Sequence, residues 1–104
     1  MDVIRGVLVE ELENSLRIRE RYLESLRALP RGSLRKKHIN GHDYYYLAFR
    51  EGRKVKYSYL GKLSESRLRE YEEGRRKRDE QKKAVKKLDQ QIRYLRKAIN
   101  VRAD

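Results

Sequence analysis

The dipeptide Asn40-Gly41 constrains the fold of this chain more than any other feature. Both residue types tolerate positive φ, so an Asn-Gly pair between two strand-like runs is a strong signal for a β-hairpin. Residues 33–40 alternate in part between apolar and polar side chains, and residues 42–50 are rich in Tyr, Leu and Phe, which fit a pleated surface. The sequence therefore predicts antiparallel strands on both sides of this turn.

A second turn signal, Glu51-Gly52, extends the hairpin to a three-stranded antiparallel meander over residues 33–61. The third strand, residues 53–60, alternates between apolar and polar side chains. Its Val and two Tyr residues fall on one face, and its two inner Lys residues and Ser fall on the other.

The second strand has two distinct faces. Alternation separates Tyr44, Tyr46 and Ala48 from Tyr45, Leu47 and Phe49. We expect the second set, which is more apolar, to pack against a helix that carries Leu68 and Tyr71. The register between strands decides which face Tyr57 and Tyr59 share, and at this point both registers stay open.

The first helix is predicted over residues 2–29. Asp2 is a suitable N-cap, and Leu29-Pro30 ends the helix because proline disfavours helical geometry in the residue before it. Its apolar stripe has three–four spacing, with Arg19 in the one position that lacks an apolar residue. The stripe comprises Ile4, Leu8, Val9, Leu12, Leu16, Leu23 and Leu26.

The second helix is predicted over residues 64–101, with Ser64 as N-cap and a bend near Gly74. Its second half carries a stripe spaced three, four, three, four: Val85, Leu88, Ile92, Leu95 and Ile99. Because the two stripes match in length, we expect the helices to pair as an antiparallel hairpin, which makes the fold class α+β. The stripes could equally pair between two chains, and the sequence does not separate these alternatives.

Length and composition exclude several kinds of protein. A chain of 104 residues favours one domain, here residues 1–104, and without cysteine it has no disulfides or thiolate chemistry. His38, His42 and Asp43 come closest to a metal site, but they surround a hairpin turn, where polar residues are common. We therefore expect no catalytic residue, metal or cofactor. With no signal-peptide layout and no apolar run that could span a bilayer, we expect a cytoplasmic protein.

The positive charge lies mainly in the middle of the chain and after it. Residues 31–63 hold nine Lys and Arg against two acids, a net charge of +7. Residues 64–104 hold fourteen against eight, a net of +6, whereas residues 1–30 hold five against six, a net of −1. Five of the eight tyrosines also fall within residues 38–62. This coincidence favours a polyanionic partner such as nucleic acid over a merely solubilising surface.

The predicted sheet supplies the main candidates for nucleic-acid contact. Lysine and arginine neutralise phosphates, while tyrosine hydroxyls donate to phosphates and tyrosine rings pack on sugars or bases. A β-ribbon is also narrow enough to enter a DNA major groove. Alternatively, cross-strand Tyr–Lys pairs only stabilise an exposed sheet. The candidates are Arg35, Lys36, Lys37, Tyr44, Tyr46, Arg53, Lys54 and Lys56.

The segment GSLRKKHINGHDYYYLAFREGRKVKYSYLGK, residues 32–62, resembles a motif of short uncharacterised prokaryotic proteins and of the start of some transposases. More loosely, three basic strands followed by a helix are similar to the arm-type DNA-binding domain of tyrosine recombinases, although the long helices depart from that compact module. The resemblances imply a mobile-element or defence setting and a sheet inserted into a major groove. The contacts they imply are Arg35, Lys37, Tyr44, Tyr46, Lys54 and Lys56.

A second basic segment, RRKRDEQKK at residues 75–83, precedes the apolar stripe of the second helix. This layout resembles a basic-region zipper, although the stripe covers barely two heptads. Its candidates for supporting phosphate contacts are Arg75, Arg76 and Arg78. The alternative is an ordinary solvated helix face, since Asp79 and Glu80 dilute the positive run.

The leading hypothesis is a non-enzymatic nucleic-acid-binding protein that binds duplex DNA with its basic, tyrosine-rich sheet. One alternative is a protein-interaction module, such as an antitoxin-like or accessory partner, that uses the apolar helix stripes as a homodimer or with another protein. A second alternative is RNA binding by the same sheet. No carboxylate pair, nucleophile–base set or phosphate-binding glycine loop points to an enzyme, and we expect no membrane partner.

Overall fold

The computed structural model of the chain describes residues 2–101. Its elements are α1 (Val3–Ala28), β1 (Ser33–Ile39), β2 (His42–Glu51), β3 (Lys54–Gly61) and α2 (Glu65–Val101). The strands form one antiparallel sheet in the order β1-β2-β3. The predicted α+β architecture, a three-stranded meander between two long helices, is therefore confirmed.

Both helices begin at the predicted cap residues. The backbone amide of Ile4 donates to Asp2 Oδ1 at 3.0 Å, and that of Arg67 donates to Ser64 Oγ at 3.3 Å. Each side chain thus satisfies one of the amides that a helix start leaves without an intrahelical partner. α2 then runs through Gly74 as one helix. No helix among residues 2–101 is long and apolar enough to cross a membrane.

Two-residue turns join the strands. Asn40 and Gly41 have φ angles of 50° and 78°, which fit a type I′ turn. The second turn consists of Gly52 and Arg53, one residue later than predicted, and Glu51 is the last residue of β2. The shift follows from Gly52, whose φ of 63° suits the first central position of a two-residue hairpin loop.

The strand register determines on which face of the sheet Tyr57 and Tyr59 lie, which alternation alone left open. Across β1 and β2, Arg35 lies opposite Tyr46 and Lys37 lies opposite Tyr44. Across β2 and β3, Tyr46 lies opposite Tyr59 and Ala48 lies opposite Tyr57. Residues directly opposite each other in an antiparallel pair point to the same side of the sheet. Tyr57 and Tyr59 therefore share the face of Tyr44 and Tyr46.

The sequence predicts one domain, and the contacts group the chain into two compact units. The sheet unit comprises residues 29–77, and the helix unit comprises residues 2–28 together with 78–101. α2 contributes to both. The sheet unit is the one that carries most of the candidate nucleic-acid contacts.

The helix unit is an antiparallel pairing of α1 with the second part of α2 within one chain. Arg19 Nε donates to Asp89 Oδ1 at 2.6 Å, and Gln91 Nε2 donates to Ser15 Oγ at 2.8 Å. Ile92, Leu95 and Ile99, all from the predicted stripe, are buried. The position that lacked an apolar residue, Arg19, is thus matched by an acid on the facing helix.

The buried face of α1 differs from the predicted stripe at two places. Ile4, in the first turn, is 54% exposed. Ser15 is fully buried, whereas Leu16 is 39% exposed. Apolar spacing alone assigned Leu16 to the interface and passed over the serine beside it. The serine can be buried because Gln91 supplies the hydrogen bond that a buried hydroxyl needs.

Candidate nucleic-acid interface

The register divides the sheet into two faces with different chemistry. We call the first the tyrosine face; its residues are Ser33, Arg35, Lys37, Ile39, His42, Tyr44, Tyr46, Ala48, Arg50, Val55, Tyr57 and Tyr59. We call the second the opposite face; its residues are Leu34, Lys36, His38, Asp43, Tyr45, Leu47, Phe49, Glu51, Lys54, Lys56 and Ser58. Four of the five sheet tyrosines therefore lie on one side.

The aromatic rings of the tyrosine face are open to solvent along β3. Tyr57 is 65% exposed and Tyr59 is 60% exposed. On the opposite face the apolar side chains Leu34, Leu47 and Phe49 are each only half-exposed or less. Ala48, the buried residue of β2, also lies on the tyrosine face, so the mostly exposed rings of this face are those of β3.

A shallow pocket of about 480 Å³ lies on the tyrosine face. It is lined by Ile39, Tyr44, Tyr46 and Tyr59. The rings of Tyr46 and Tyr59 are in contact, with centroids 5.1 Å apart and planes tilted by 54°. This is ordinary geometry for an aromatic pair and holds the two rings as one wall of the pocket.

Cations stand beside these rings. Lys62 Nζ lies 6.0 Å from the centroid of the Tyr44 ring, at the limit for a cation–π contact. Arg35 and Lys37 are exposed and lie directly across from Tyr46 and Tyr44. Within the described part of the chain, neither of these two side chains is paired with an acid. Their positive charge is therefore available to an external anion.

On the opposite face, acids lie close to two of the lysines. Lys56 Nζ lies 3.1 Å from Glu51 Oε2 in a cross-strand ion pair. Lys36 is close enough to Asp43 to contribute to lowering the pKa of that carboxyl. Acids thus neutralise part of the positive charge on this face, and none of the charged residues of the tyrosine face is an acid.

The structure distributes the predicted sheet candidates over three places. Arg35, Lys37, Tyr44 and Tyr46 come together on the tyrosine face, whereas Lys36, Lys54 and Lys56 lie on the opposite face. Arg53 lies in the turn between β2 and β3. The expectation that one surface gathers the tyrosines with Arg35, Lys37, Lys54 and Lys56 therefore holds for only half of those cations.

The basic segment of α2 is partly neutralised by its own helix. Arg76 Nη2 donates to Glu73 Oε1 at 2.6 Å, and this hydrogen bond lowers the pKa of Glu73. Arg78 is only partly exposed, while Arg75 is exposed. Of the three predicted helix candidates, Arg75 is thus the one most available to a phosphate.

The sequence-based candidates omit four residues that the register and the contacts bring to the tyrosine face or its edge: Tyr57, Tyr59, Arg50 and Lys62. A signal for the first three was present. Two-residue turns fix which residues face each other in a hairpin, so placing the loops at residues 40–41 and 52–53 specifies the pairing. For Lys62, which follows the last strand, no sequence signal identified the contact with Tyr44.

The two histidines lie on the strands that flank the first turn, His38 in β1 and His42 in β2. His38 Nδ1 and Asp43 Oδ1 are 2.6 Å apart, and this hydrogen bond is the main reason that the pKa of Asp43 is lowered. Among residues 2–101 no group of three or more His, Cys, Asp or Glu side chains is arranged to hold a metal ion.

Comparison with known protein families identifies a match. A family model described as "Domain of unknown function (DUF6788)" matches residues 4–70, which span most of α1, the whole sheet and the start of α2. No curated protein and no solved structure matched the chain.

Proposed function

Since the chain belongs to the DUF6788 family, whose description assigns no activity, we propose from the geometry of the tyrosine face that it is a non-enzymatic nucleic-acid-binding protein. One observation carries this proposal. Exposed tyrosine rings lie on the same face of one sheet as Arg35 and Lys37, two cations that have no acidic partner among the described residues. Rings that can pack on bases beside cations that can neutralise phosphates are the two components of a nucleic-acid contact surface.

The charge of the sheet segment agrees with this role. Residues 31–63 carry a net charge of +7, and both acids in that range, Asp43 and Glu51, lie on the opposite face. Among the strand residues, the tyrosine face therefore carries more net positive charge than the opposite face. A surface of this kind attracts polyanions from a distance, with an attraction that weakens as salt screens it.

The competing explanation is that the tyrosines only strengthen the sheet. Cross-strand aromatic and polar pairs contribute about 0.2–1 kcal/mol each to sheet stability. That role is satisfied by rings packed flat against their neighbours, and it does not require Tyr57 to be 65% exposed. It also gives no reason why Arg35 and Lys37 have no acidic partner within residues 2–101 while Lys56 has one.

Duplex DNA is the ligand favoured by the sequence, with RNA as an alternative. Phosphate contacts from Arg35 and Lys37 serve a duplex and a single strand alike, because every nucleic-acid backbone offers the same anion. The cations therefore define the class of ligand, and the rings determine which member of the class binds best.

The test is a salt titration with charge-matched variants of the full chain. Anisotropy of a labelled duplex and of a labelled single strand is measured between about 50 and 200 mM salt. Each lost phosphate contact reduces the slope of log K against log salt by about 0.7–0.9. Arg35→Ala with Lys37→Ala should thus reduce that slope by about 1.4–1.8.

The matched control removes two positive charges from the opposite face. Lys54→Ala with Lys56→Ala changes the net charge equally and should leave the slope close to that of the unchanged protein. Binding that is absent at the lowest salt, or an equal loss in both double variants, would contradict the proposal. Far-ultraviolet circular dichroism of each variant verifies that the fold is retained.

A second candidate function is a protein-interaction module. Val3, Ile4 and Val7 share one side of the first turns of α1 and are 78%, 54% and 58% exposed. The main stripes of the helix unit, however, already cover each other within one chain. Light scattering after size exclusion tests this candidate: a monomer at micromolar concentration would exclude self-association, and a dimer would favour it.

The mobile-element or defence setting stays a proposal that rests on the motif of residues 32–62 and its resemblance to transposase segments. It is tested by the genes beside the coding sequence. Recombinase or toxin genes as recurrent neighbours would favour this setting, and unrelated neighbours would contradict it.

A further inference from the structure

We infer that the pocket on the tyrosine face receives one unpaired base, so that the protein binds single-stranded nucleic acid in preference to a duplex. This inference rests on the proposed function and names its ligand. It starts from the pocket lined by Ile39, Tyr44, Tyr46 and Tyr59, which is a feature of the sheet unit alone.

The pocket has the composition of a base-binding site. Three of its four lining residues are tyrosines and the fourth is isoleucine, so its walls are aromatic and aliphatic. Its volume of about 480 Å³ falls within the range of about 300–1,000 Å³ that is usual for small-molecule sites. A flat heteroaromatic ring gains from stacking in such surroundings whatever its sequence identity.

The wall of the pocket offers a ring face to a ligand. Tyr59 contacts Tyr46 and still keeps 60% of its surface exposed. Tyr57 lies two residues away on the same strand and face, a separation of about 6.8 Å along β3. Tyr57 therefore offers a stacking position for a second base, next to the base that the pocket receives at Tyr59.

Stacking on a protein ring requires that the face of the base be free. In a duplex both faces of each base are covered by neighbouring base pairs, and only the edges are open in the grooves. Exposed tyrosine rings therefore gain little from a duplex but gain from a strand whose bases are unstacked. Opening a duplex to supply such a base would cost a few kcal/mol.

The cations around the pocket are placed to contact the phosphates of the nucleic-acid strand on either side of the bound base. Lys62 stands at the Tyr44 ring, and Lys37 lies directly across the sheet from that same tyrosine. Arg35 lies two residues before Lys37 in β1, on the same face. Phosphates on either side of a base held between Tyr44 and Tyr59 would meet positive charge, as in a groove that tracks a single-stranded backbone.

The experiment compares single strands with a duplex in the full chain. The probes are a labelled oligothymidine of about 12 nucleotides, an oligouridine of equal length and a duplex of about 12 base pairs. We expect both single strands to bind at least about tenfold more tightly than the duplex at equal salt. The DNA and RNA arms separate base stacking, which both share, from contacts to the ribose hydroxyl.

Three variants test whether the aromatic ring of Tyr59 contributes to binding. Tyr59→Leu removes the aromatic wall and should weaken single-strand binding at least fivefold, the loss expected when one stacked base loses its partner. Tyr59→Phe keeps the ring and should bind close to the unchanged protein, whereas a contact through the hydroxyl would be lost in it. The matched control is Tyr94→Leu, because Tyr94 is 71% exposed on α2 in the helix unit.

The outcomes separate this inference from the proposed function. Duplex binding as tight as single-strand binding, with Tyr59→Leu unaffected and the Arg35 and Lys37 double variant impaired, would overturn the pocket inference and leave the proposed function in place. Absence of binding to all three probes would overturn both. A fivefold or greater loss in Tyr59→Leu on both single strands, with Tyr94→Leu unchanged, supports the pocket.

Discussion

The two faces of the same three-stranded sheet differ in the rings that they expose and in how their charges are paired. The tyrosine face leaves Tyr57 and Tyr59 mostly exposed, and its cations Arg35 and Lys37 have no acidic partner among residues 2–101. The opposite face covers Leu47 and Phe49 and sets an acid against one of its lysines, Lys56. Because adjacent residues on a strand point to opposite faces, these environments differ at every step along the chain.

Under the proposed function, this difference separates stability from binding within one small chain. Burial of aliphatic and aromatic side chains on one face supplies hydrophobic stabilisation, which grows with the area removed from water. The other face can then carry residues whose exposure costs some stability and which, in the proposed function, contact nucleic acid. Substitutions on the two faces should therefore affect different measured quantities.

The largest expected effect is on the stability of the opposite face. Leu47→Ala should lower the free energy of unfolding by about 2 kcal/mol, since a half-buried leucine loses packing and leaves a partial cavity. Tyr57→Ala on the tyrosine face should cost less than about 1 kcal/mol because the ring is mostly exposed. Urea denaturation measures both. Equal losses would mean that the tyrosine face is also structural.

A smaller effect should appear in binding. Arg50→Ala removes a cation of the tyrosine face and should weaken binding of a short oligonucleotide about threefold at low salt, the loss expected for one exposed phosphate contact. Lys36→Ala removes one charge from the opposite face and serves as the control, with an expected change below about 1.5-fold. Anisotropy titrations measure both. If Lys36→Ala were the more harmful variant, the assignment of faces would be wrong.

The smallest expected effect is on the pKa of Asp43, which forms a hydrogen bond with His38 beside the first turn. The hydrogen bond from His38 lowers the pKa of Asp43, so His38→Ala should raise that pKa toward the ordinary aspartate value. Because the folded-state pKa is the lower one, the pair stabilises the fold above the unfolded-state pKa. That contribution is lost as pH falls through the folded-state pKa. Carboxyl resonances followed by NMR measure the shift, and an unchanged midpoint in His38→Ala would contradict the contact.

The sequence predicted the elements well because each had a local cause. Asp2 and Ser64 identify the helix starts, and Asn40-Gly41 identifies the first turn, through interactions that span only a few residues. The second turn was misplaced by one residue. The pattern Glu51-Gly52-Arg53 admits two loops, and the positive φ of Gly52 selects the later one.

The candidate site was predicted only in part because it depends on pairing between strands. Alternation separates neighbours such as Lys36 and Lys37, but it does not determine which residues of β1 and β3 share their side of β2. A misplaced second turn hides that Lys54 and Lys56 lie on the face away from most tyrosines. Similarly, the burial of Ser15 depends on Gln91, 76 residues away, which helical spacing does not reveal.

The most direct test of the central claim is an NMR titration of the full chain with the single-stranded oligonucleotide, followed through the aromatic side-chain resonances. If the tyrosine face binds nucleic acid, the rings of Tyr44, Tyr57 and Tyr59 should shift, because stacked bases change the field at each ring. The resonances of the Phe49 ring, on the opposite face, should stay close to their chemical shifts in the unbound protein. Shifts confined to Phe49 and Tyr45, or to the basic segment of α2, would contradict the claim.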